Sequence, residues 1–335
     1  MSSFETLSLV CIASRLAEAG DVLILTHTNP DGDCIGSAAA LAAIVRALGK
    51  CAYVATPDRL PPRLAFLLPE QESTAVTPEE AEKFETVISV DVASRSQLAS
   101  LEYLAERVAL MIDHHGVGEP FAPGFIDSGA SAAGEIVWRL YRLMRERNMI
   151  PPLGAAARSC YAAVVSDTGS FKFSNVTPET HRAAAEMLEE MAADADGMSA
   201  EEICRSLFSK RTMTDLILQM TAIKNLRLHK DGKIGTVLLT AEEMREAGLE
   251  SCDTGAAVEI PRSLDGVMIA LSIKQSFTDP HLFKISSRSN CDADMAAVCA
   301  RFGGGGHVKA AGCTLNAATP EEAEAVAVAA FETAL

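Results

Sequence analysis

Carboxylate and imidazole side chains crowd one short turn near the start of the chain. His27, Asp31 and Asp33 lie within seven residues of one another. Carboxylates a few ångström apart repel each other unless a cation lies between them, so the turn indicates a metal site. A simpler role is also open, because Asp33 could cap a helix that begins near Ile35.

Three later segments place the same residue types directly after apolar runs. Asp91 follows one run, Asp113, His114 and His115 follow a second, and Asp167 follows a third. The carboxyl ends of parallel strands form the edge of a sheet where ligands bind. Each acid alone could cap a helix, but their recurrence favours one shared site.

Two imidazoles and four carboxylates suffice to hold two divalent cations if one carboxylate bridges them. This mixed donor set favours Mn²⁺, Fe²⁺ or Co²⁺, and it also admits Mg²⁺. Paired cations about 3.5–4 Å apart are the apparatus of phosphoester hydrolysis. The candidate ligands are His27, Asp31, Asp33, Asp91, His114 and Asp167.

The elements that position these residues alternate between two periodicities. This pattern predicts an α/β domain with a mostly parallel sheet flanked by helices. Strands are predicted over residues 22–26, 51–55, 86–90 and 108–112, and helices over 35–48, 135–147, 155–165 and 179–191. The second half predicts a smaller α+β domain, with a hairpin at Asp231-Gly232. The predicted division is 1–196 for the metal-binding domain, 197–222 for a helical linker and 223–335 for a substrate-binding domain.

A run of glycines in the second half suggests a phosphate-binding loop. Gly303, Gly304, Gly305 and Gly306 would let the backbone approach a ligand and aim amide donors at it, although a flexible loop explains them equally well. Further donors for phosphate are His307 and Lys309 beside the run, and Arg288 at a predicted strand end.

Taken in order, these segments resemble the four motifs of the DHH phosphoesterase superfamily. The matching residues are His27-x-x-x-Asp31-x-Asp33, Asp91, Asp113-His114-His115 and Ser166-Asp167-Thr168-Gly169. The glycine run, from Phe302 to His307 with Lys309 to Gly312, resembles the signature of the DHH-associated C-terminal domain. The two-domain layout is most similar to the NrnA-type oligoribonuclease and 3′-phosphoadenosine 5′-phosphate phosphatase group.

The resemblance implies a role for each residue. His27, Asp31 and Asp91 would hold one metal ion, most often Mn²⁺, and Asp33, Asp91, His114 and Asp167 the other. His115 would lie beside the scissile phosphate as an acid or charge stabiliser for the leaving oxygen, with Asp113 orienting the histidines. Arg288, Gly303 to Gly306, His307 and Lys309 would bind the substrate, an oligoribonucleotide of a few nucleotides or 3′-phosphoadenosine 5′-phosphate. The resemblance also implies a homodimer.

Other activities share these motifs. A standalone cyclic di-AMP or linear dinucleotide phosphodiesterase uses the same two domains, and a manganese-type inorganic pyrophosphatase shares the first four motifs. A non-catalytic nucleotide-binding module is a further alternative, which the intact ligand set disfavours.

Charge and composition limit the partners. The net charge of −16 argues against long duplex nucleic acid and anionic membranes. Between Arg205 and Leu315, however, 14 Lys and Arg face 12 Asp and Glu, so the predicted substrate-binding half is close to neutral. No apolar stretch is long enough to span a bilayer, no secretory signal is evident, and nine scattered cysteines without a CxxC pair suit the cytoplasm.

Overall fold

The chain folds into two compact units, residues 1–210 and residues 211–335. The computed structural model describes residues 5–68, 76–194, 197–252 and 254–335, except for the His307 side chain. The division after Lys210 falls inside the stretch predicted as a helical linker. That stretch is not one continuous helix, because a π-helical turn over Arg205–Ser209 follows its first helix and non-helical residues precede its second.

A five-stranded parallel sheet lies at the centre of the first unit. Its order is β2-β1-β3-β4-β5. The strands are β1 (Val22–Leu25), β2 (Ala52–Ala55), β3 (Thr86–Val90), β4 (Val108–Asp113) and β5 (Gly124–Ile126). The strands are almost continuously apolar because both faces of the sheet are covered. The predicted α/β fold is therefore confirmed.

Helices cover one face of this sheet. The helices of the first unit are α1 (Leu9–Glu18), α2 (Gly32–Ala47), α3 (Pro78–Ala81), α4 (Ala133–Glu146), α5 (Gly154–Asp167), α6 (Pro178–Ala192) and α7 (Ala200–Cys204). Helix α3 is a single turn that lies outside this layer. Ile24, Ile88 and Ile112 point into the layer of α1, α2, α4, α5 and α6. Leu23 and Met111 point to the opposite face, where 3₁₀ turns over Arg95–Arg107 pack. This alternation fixes which residues reach the carboxyl edge of the strands.

A six-stranded mixed sheet lies at the centre of the second unit, in the order β10-β11-β9-β8-β7-β6. Its strands are β6 (Leu226–His229), β7 (Ile234–Leu239), β8 (Ile269–Gln275), β9 (Leu282–Ser289), β10 (Gly305–His307) and β11 (Ala310–Asn316). All of these pairings are antiparallel except β7 with β8. The predicted hairpin joins β6 to β7, with Lys230, Asp231 and Gly232 at positive φ in its turn.

The helices of the second unit leave part of one sheet face open. They are α8 (Met213–Lys224), α9 (Ala241–Glu246), α10 (Glu259–Arg262), α11 (Met295–Ala300) and α12 (Pro320–Glu332). Helices α11 and α12 cover the apolar residues of one face. On the other face, the strands carry exposed or half-buried polar side chains such as Lys274, Lys284 and Thr314. In the part of the chain described, no helix is long and apolar enough to cross a membrane.

Candidate metal centre and substrate-binding loop

His27 stands just beyond the end of β1 with its ring fixed by the backbone. Its Nδ1 lies 2.7 Å from the carbonyl oxygen of Thr28, so this nitrogen donates a proton and Nε2 faces the carboxylates. Nε2 lies 3.5 Å from Asp91 Oδ2 and 4.0 Å from Asp31 Oδ1. Asp31 also caps α2, because its Oδ1 accepts a hydrogen bond from Cys34 N at 3.0 Å.

Asp33 lies in the first turn of α2, fully buried, and its carboxylate is held from three sides. Oδ1 accepts hydrogen bonds from Ser37 Oγ at 2.9 Å and from Gly134 N at 2.9 Å, and Oδ2 accepts one from Ala133 N at 2.7 Å. Two of these donors belong to the first turn of α4, whose dipole favours a negative charge. The capping role considered for Asp33 therefore applies to α4, a hundred residues further along the chain.

Asp91 occupies the centre of the arrangement. Its Oδ2 faces His27, while its Oδ1 lies 3.5 Å from His114 Nε2 and 3.6 Å from His115 Nδ1. Among the described residues, no group donates a hydrogen bond to the buried Oδ1. Asp91 also has a φ of 59°, a left-handed conformation that is strained for a residue with a side chain. Oδ2 of Asp91 therefore faces His27, and Oδ1 faces His114 and His115.

His114 completes the second half of the cluster. Its Nε2 lies 3.5 Å from Asp33 Oδ2 and 3.9 Å from Asp167 Oδ2, where Asp167 is the last residue of α5. Its Nδ1 lies 3.4 Å from the carbonyl oxygen of Ala130. The ring is thus oriented with Nε2 toward the carboxylates, as in a metal-binding histidine.

The electrostatics of this cluster call for positive charge. Burial raises the pKa of Asp33, and burial together with Asp33 raises the pKa of Asp91 well above its usual value. Burial and the same neighbour raise the pKa of Asp167 to about 7. A proton or a cation must neutralise these carboxylates, and the orphaned Oδ1 of Asp91 marks one place for it.

The donors fit divalent cations in number and type. Ligand atoms within 4.8 Å of one another occur in three groups: His27 with Cys34 and Asp91, Asp91 with His114 and His115, and Asp33 with His114 and Asp167. The first two groups share Asp91 and the last two share His114, so the groups form one continuous site. Carboxylate oxygen and imidazole nitrogen together suit Mn²⁺ and its neighbours in the first transition series.

His115 and Asp113 form a pair beside the cluster. His115 Nδ1 lies 2.7 Å from Asp113 Oδ1, and the same oxygen accepts hydrogen bonds from the backbone nitrogens of His114 and His115. Burial alone would lower the pKa of His115, but the hydrogen bond that its Nδ1 donates to Asp113 and the charge of Asp91 outweigh burial, so the pKa is raised. A protonated His115 can serve as an acid.

The glycine run of the second unit forms a tight hairpin. Gly305 and Gly306 belong to β10, which pairs with β11. A Cβ atom on Gly304 would lie 2.2 Å from the carbonyl oxygen of Gly312, and one on Gly306 would lie 2.6 Å from that of Ala310. At least two of the four glycines are therefore required by packing between strands.

The predicted cations of this unit already have partners. Arg288 Nε lies 3.5 Å from Glu259 Oε1, and its Nη1 donates to the Ser287 carbonyl at 2.9 Å. Lys309 Nζ lies 3.3 Å from Asp292 Oδ1. The side chain of His307 lies outside the described part of the structure. The predicted binding roles of these residues remain predictions.

Comparison with known families identifies the first unit. Residues 21–164 match the DHH family, N-terminal domain. The chain therefore carries a match to this domain family over those residues. Three of the four motifs lie within this match, and the predicted resemblance to the DHH superfamily is confirmed.

Two relatives and one solved structure are similar to this chain over most of its length. The bifunctional oligoribonuclease and PAP phosphatase NrnA of Thermus thermophilus is 29% identical over 93% of this chain and 89% of its own length. The cyclic-di-AMP phosphodiesterase PdeA of Listeria monocytogenes is 25% identical over 95% of this chain but only 48% of its own length. An exopolyphosphatase-related protein from Bacteroides fragilis has the same fold, with a TM-score of 0.87, 24% identity, and coverage of 97% of this chain and 95% of that one. The prediction of a metal-dependent phosphoester hydrolase is confirmed.

Two residues of the candidate metal centre were not singled out from the sequence. Cys34 Sγ shares a group with His27 and Asp91, and burial raises the pKa of this thiol to about 11. Asn175 Nδ2 donates to Asp167 Oδ2 at 3.1 Å and to the Ser131 carbonyl at 2.8 Å. The spacing of Cys34, three residues after Asp31, was a usable signal, whereas nothing local marks Asn175.

Proposed function

We propose that this protein hydrolyses short oligoribonucleotides to mononucleotides, with 3′-phosphoadenosine 5′-phosphate as a second substrate. The main support is the position of Asp91, whose two carboxylate oxygens face the imidazoles of His27 and His114. The relatives with oligoribonuclease and PAP phosphatase activity match nearly the whole chain, which supports the substrate class.

In this proposal the cluster holds two divalent cations, with Mn²⁺ favoured by the mixed donors. His27, Asp31 and Asp91 would bind one cation, and Asp33, Asp91, His114 and Asp167 the other. Such cations supply charge neutralisation at phosphorus and lower the pKa of the attacking water. The hydrogen bonds from Ala133 N and Gly134 N hold the Asp33 carboxylate in place before any cation binds.

His115 is the proposed proton donor for the leaving oxygen. Its Nδ1 is held by Asp113, so the ring cannot rotate without losing a 2.7 Å hydrogen bond. The hydrogen bond to Asp113 raises the pKa of His115 and so favours the protonated ring. Asp113 therefore acts through His115 and positions it.

Substrate binding is assigned to the second unit in this proposal. Arg288, Gly303, Gly304, Gly305, Gly306, His307 and Lys309 are the candidate contacts. The near balance of charges in that half suits a substrate with few phosphates rather than a long polyanion.

A cyclic dinucleotide phosphodiesterase is the second candidate. The relation to the cyclic-di-AMP phosphodiesterase favours it, because that relative matches 95% of this chain. Both reactions would use the same carboxylates and imidazoles, so substrate rates must separate them.

The test is a comparison of initial rates with Mn²⁺. The substrates are 5′-phosphorylated di- and triadenylate, 3′-phosphoadenosine 5′-phosphate, cyclic di-AMP and pyrophosphate. We expect the linear oligonucleotides to be cleaved fastest and 3′-phosphoadenosine 5′-phosphate to be cleaved measurably. Faster cleavage of cyclic di-AMP or pyrophosphate would overturn the assignment.

We further propose a cytoplasmic homodimer. No disulfide joins the nine cysteines in the described structure, which suits a reducing compartment. Light scattering would test the oligomeric state, and a monomer at micromolar concentration would contradict it.

A further inference from the structure

The second unit contains a cavity of about 620 Å³ that the predicted substrate contacts do not explain. It lies on the open face of the sheet and extends to the turn that follows β8. Gly304 and Gly312 are among the residues that line it. Its size is that of a site for a small ligand such as a nucleotide.

The charge of this cavity is unusual for so acidic a chain. Its lining includes Lys274 and Lys284 and, among the residues described, no Asp or Glu. In the described part of the chain, neither ammonium group forms an ion pair with a carboxylate. The Lys274 ammonium instead lies 5.5 Å from the centre of the Phe277 ring, as does the Arg245 guanidinium.

The two lysines are direct neighbours across the sheet. Lys274 of β8 pairs with Lys284 of β9, and both point away from the core under α11 and α12. Like charges directly opposite each other on antiparallel strands destabilise a sheet. An anion bound between them would convert this repulsion into attraction.

The same face connects the cavity to the predicted substrate contacts. Side chains alternate along a strand, so Lys284 and Arg288 of β9 lie on one face, about 13 Å apart along the strand. Thr314, opposite Lys284 on β11, adds a hydroxyl group to the cavity lining. A single phosphate cannot reach both Lys284 and Arg288, but a short chain of nucleotides can.

We propose that this cavity is a second phosphate-binding subsite, in which Lys274 and Lys284 hold a non-scissile phosphate of the oligoribonucleotide. The proposal rests on the proposed function for the identity of its ligand. It extends that function by making substrate length a property of the second unit.

The experiment measures binding of 5′-phosphorylated triadenylate to the full chain in EDTA, which prevents hydrolysis, by isothermal titration calorimetry. The variants are Lys274→Gln and Lys284→Gln. The matched control is Lys233→Gln, an exposed lysine of the β6–β7 turn in the same unit. We expect about five- to tenfold weaker binding for each cavity variant and less than a twofold change for the control.

Thermal unfolding of the ligand-free variants checks that the fold is intact. We expect unchanged or slightly higher melting temperatures for the cavity variants, because each removes one of two facing positive charges. Equal affinity in the cavity variants and the control would overturn the proposal. An equal loss in all three would also overturn it, because it would indicate a general charge effect.

Hydrolysis of the same trinucleotide with Mn²⁺ separates this inference from the proposed function. If the wild-type chain does not hydrolyse it while binding depends on both lysines, the proposed function fails and the subsite stands. If hydrolysis proceeds and the lysine variants keep the wild-type KM, the subsite fails and the function stands.

Discussion

The two units carry their functional groups in opposite ways. In the first, carboxylates and imidazoles are mostly buried, meet within 4 Å, and are fixed by backbone donors such as Ala133 N and Gly134 N. In the second, cationic groups stand half-exposed on strands, some of them paired with acids such as Glu259. From this contrast we propose that the first unit determines the rate of the chemical step and that the second determines which substrate is captured.

The variant Asp91→Asn gives the strongest test of the catalytic role proposed for the first unit. Only one oxygen would remain to face two imidazoles, so we expect kcat to fall by about a thousandfold or more. The fold should persist, because burial already raises the pKa of the Asp91 carboxyl group and the substitution replaces that group with a neutral amide. The control is Glu119→Gln, an exposed acid. Wild-type kcat in Asp91→Asn, with Mn²⁺ in excess, would exclude Asp91 from the site.

Asp113→Asn tests positioning inside the first unit. The amide oxygen can still accept the backbone hydrogen bonds, but it carries no charge to hold a proton on His115. We expect kcat to fall about 10- to 100-fold. The raised pKa of His115 should drop, so the alkaline limb of the pH–rate profile should move to lower pH. A lower kcat with an unshifted profile would show a structural role only.

Gly304→Ala tests whether the glycine run is needed for packing. The added methyl group would lie 2.2 Å from the Gly312 carbonyl oxygen, so we expect the free energy of unfolding to fall by about 1–3 kcal/mol. The matched control is Gly305→Ala, where a Cβ atom meets open space. Denaturant unfolding of the two variants gives the comparison. An equal free energy of unfolding for the two variants would mean that the β10–β11 hairpin accommodates a methyl group at position 304.

Arg288→Ala should give the smallest effect, on KM alone. Its guanidinium is already compensated by Glu259, so we expect KM to rise about five- to tenfold and kcat to change less than twofold. Arg301→Ala, at the exposed end of α11, is the control. A large loss of kcat in Arg288→Ala would contradict the proposal that the second unit acts on substrate capture and not on the chemical step.

The sequence predicts the first unit better than the second. Its strands are short apolar runs each ending at a chemically distinct residue, so their parallel order alone brings Asp91 and Asp113 to one edge. In the second unit, β10 lies within a glycine run that carries no strand signal, and its pairing with β11 is non-local. Lys274 and Lys284 are ten residues apart with no motif around them, so their pairing was not predicted.

The amino-acid sequence by itself determined the residue types of the metal cluster, their order and the α/β class, because periodicity and strand-end chemistry are local properties. Tertiary structure alone decided that Asp91 turns Oδ2 toward His27 and Oδ1 toward His114, that α4 holds Asp33, and that two lysines share a cavity. These features depend on positive φ at one residue and on contacts between distant segments. Such contacts become fixed only when the sheet and its helices pack.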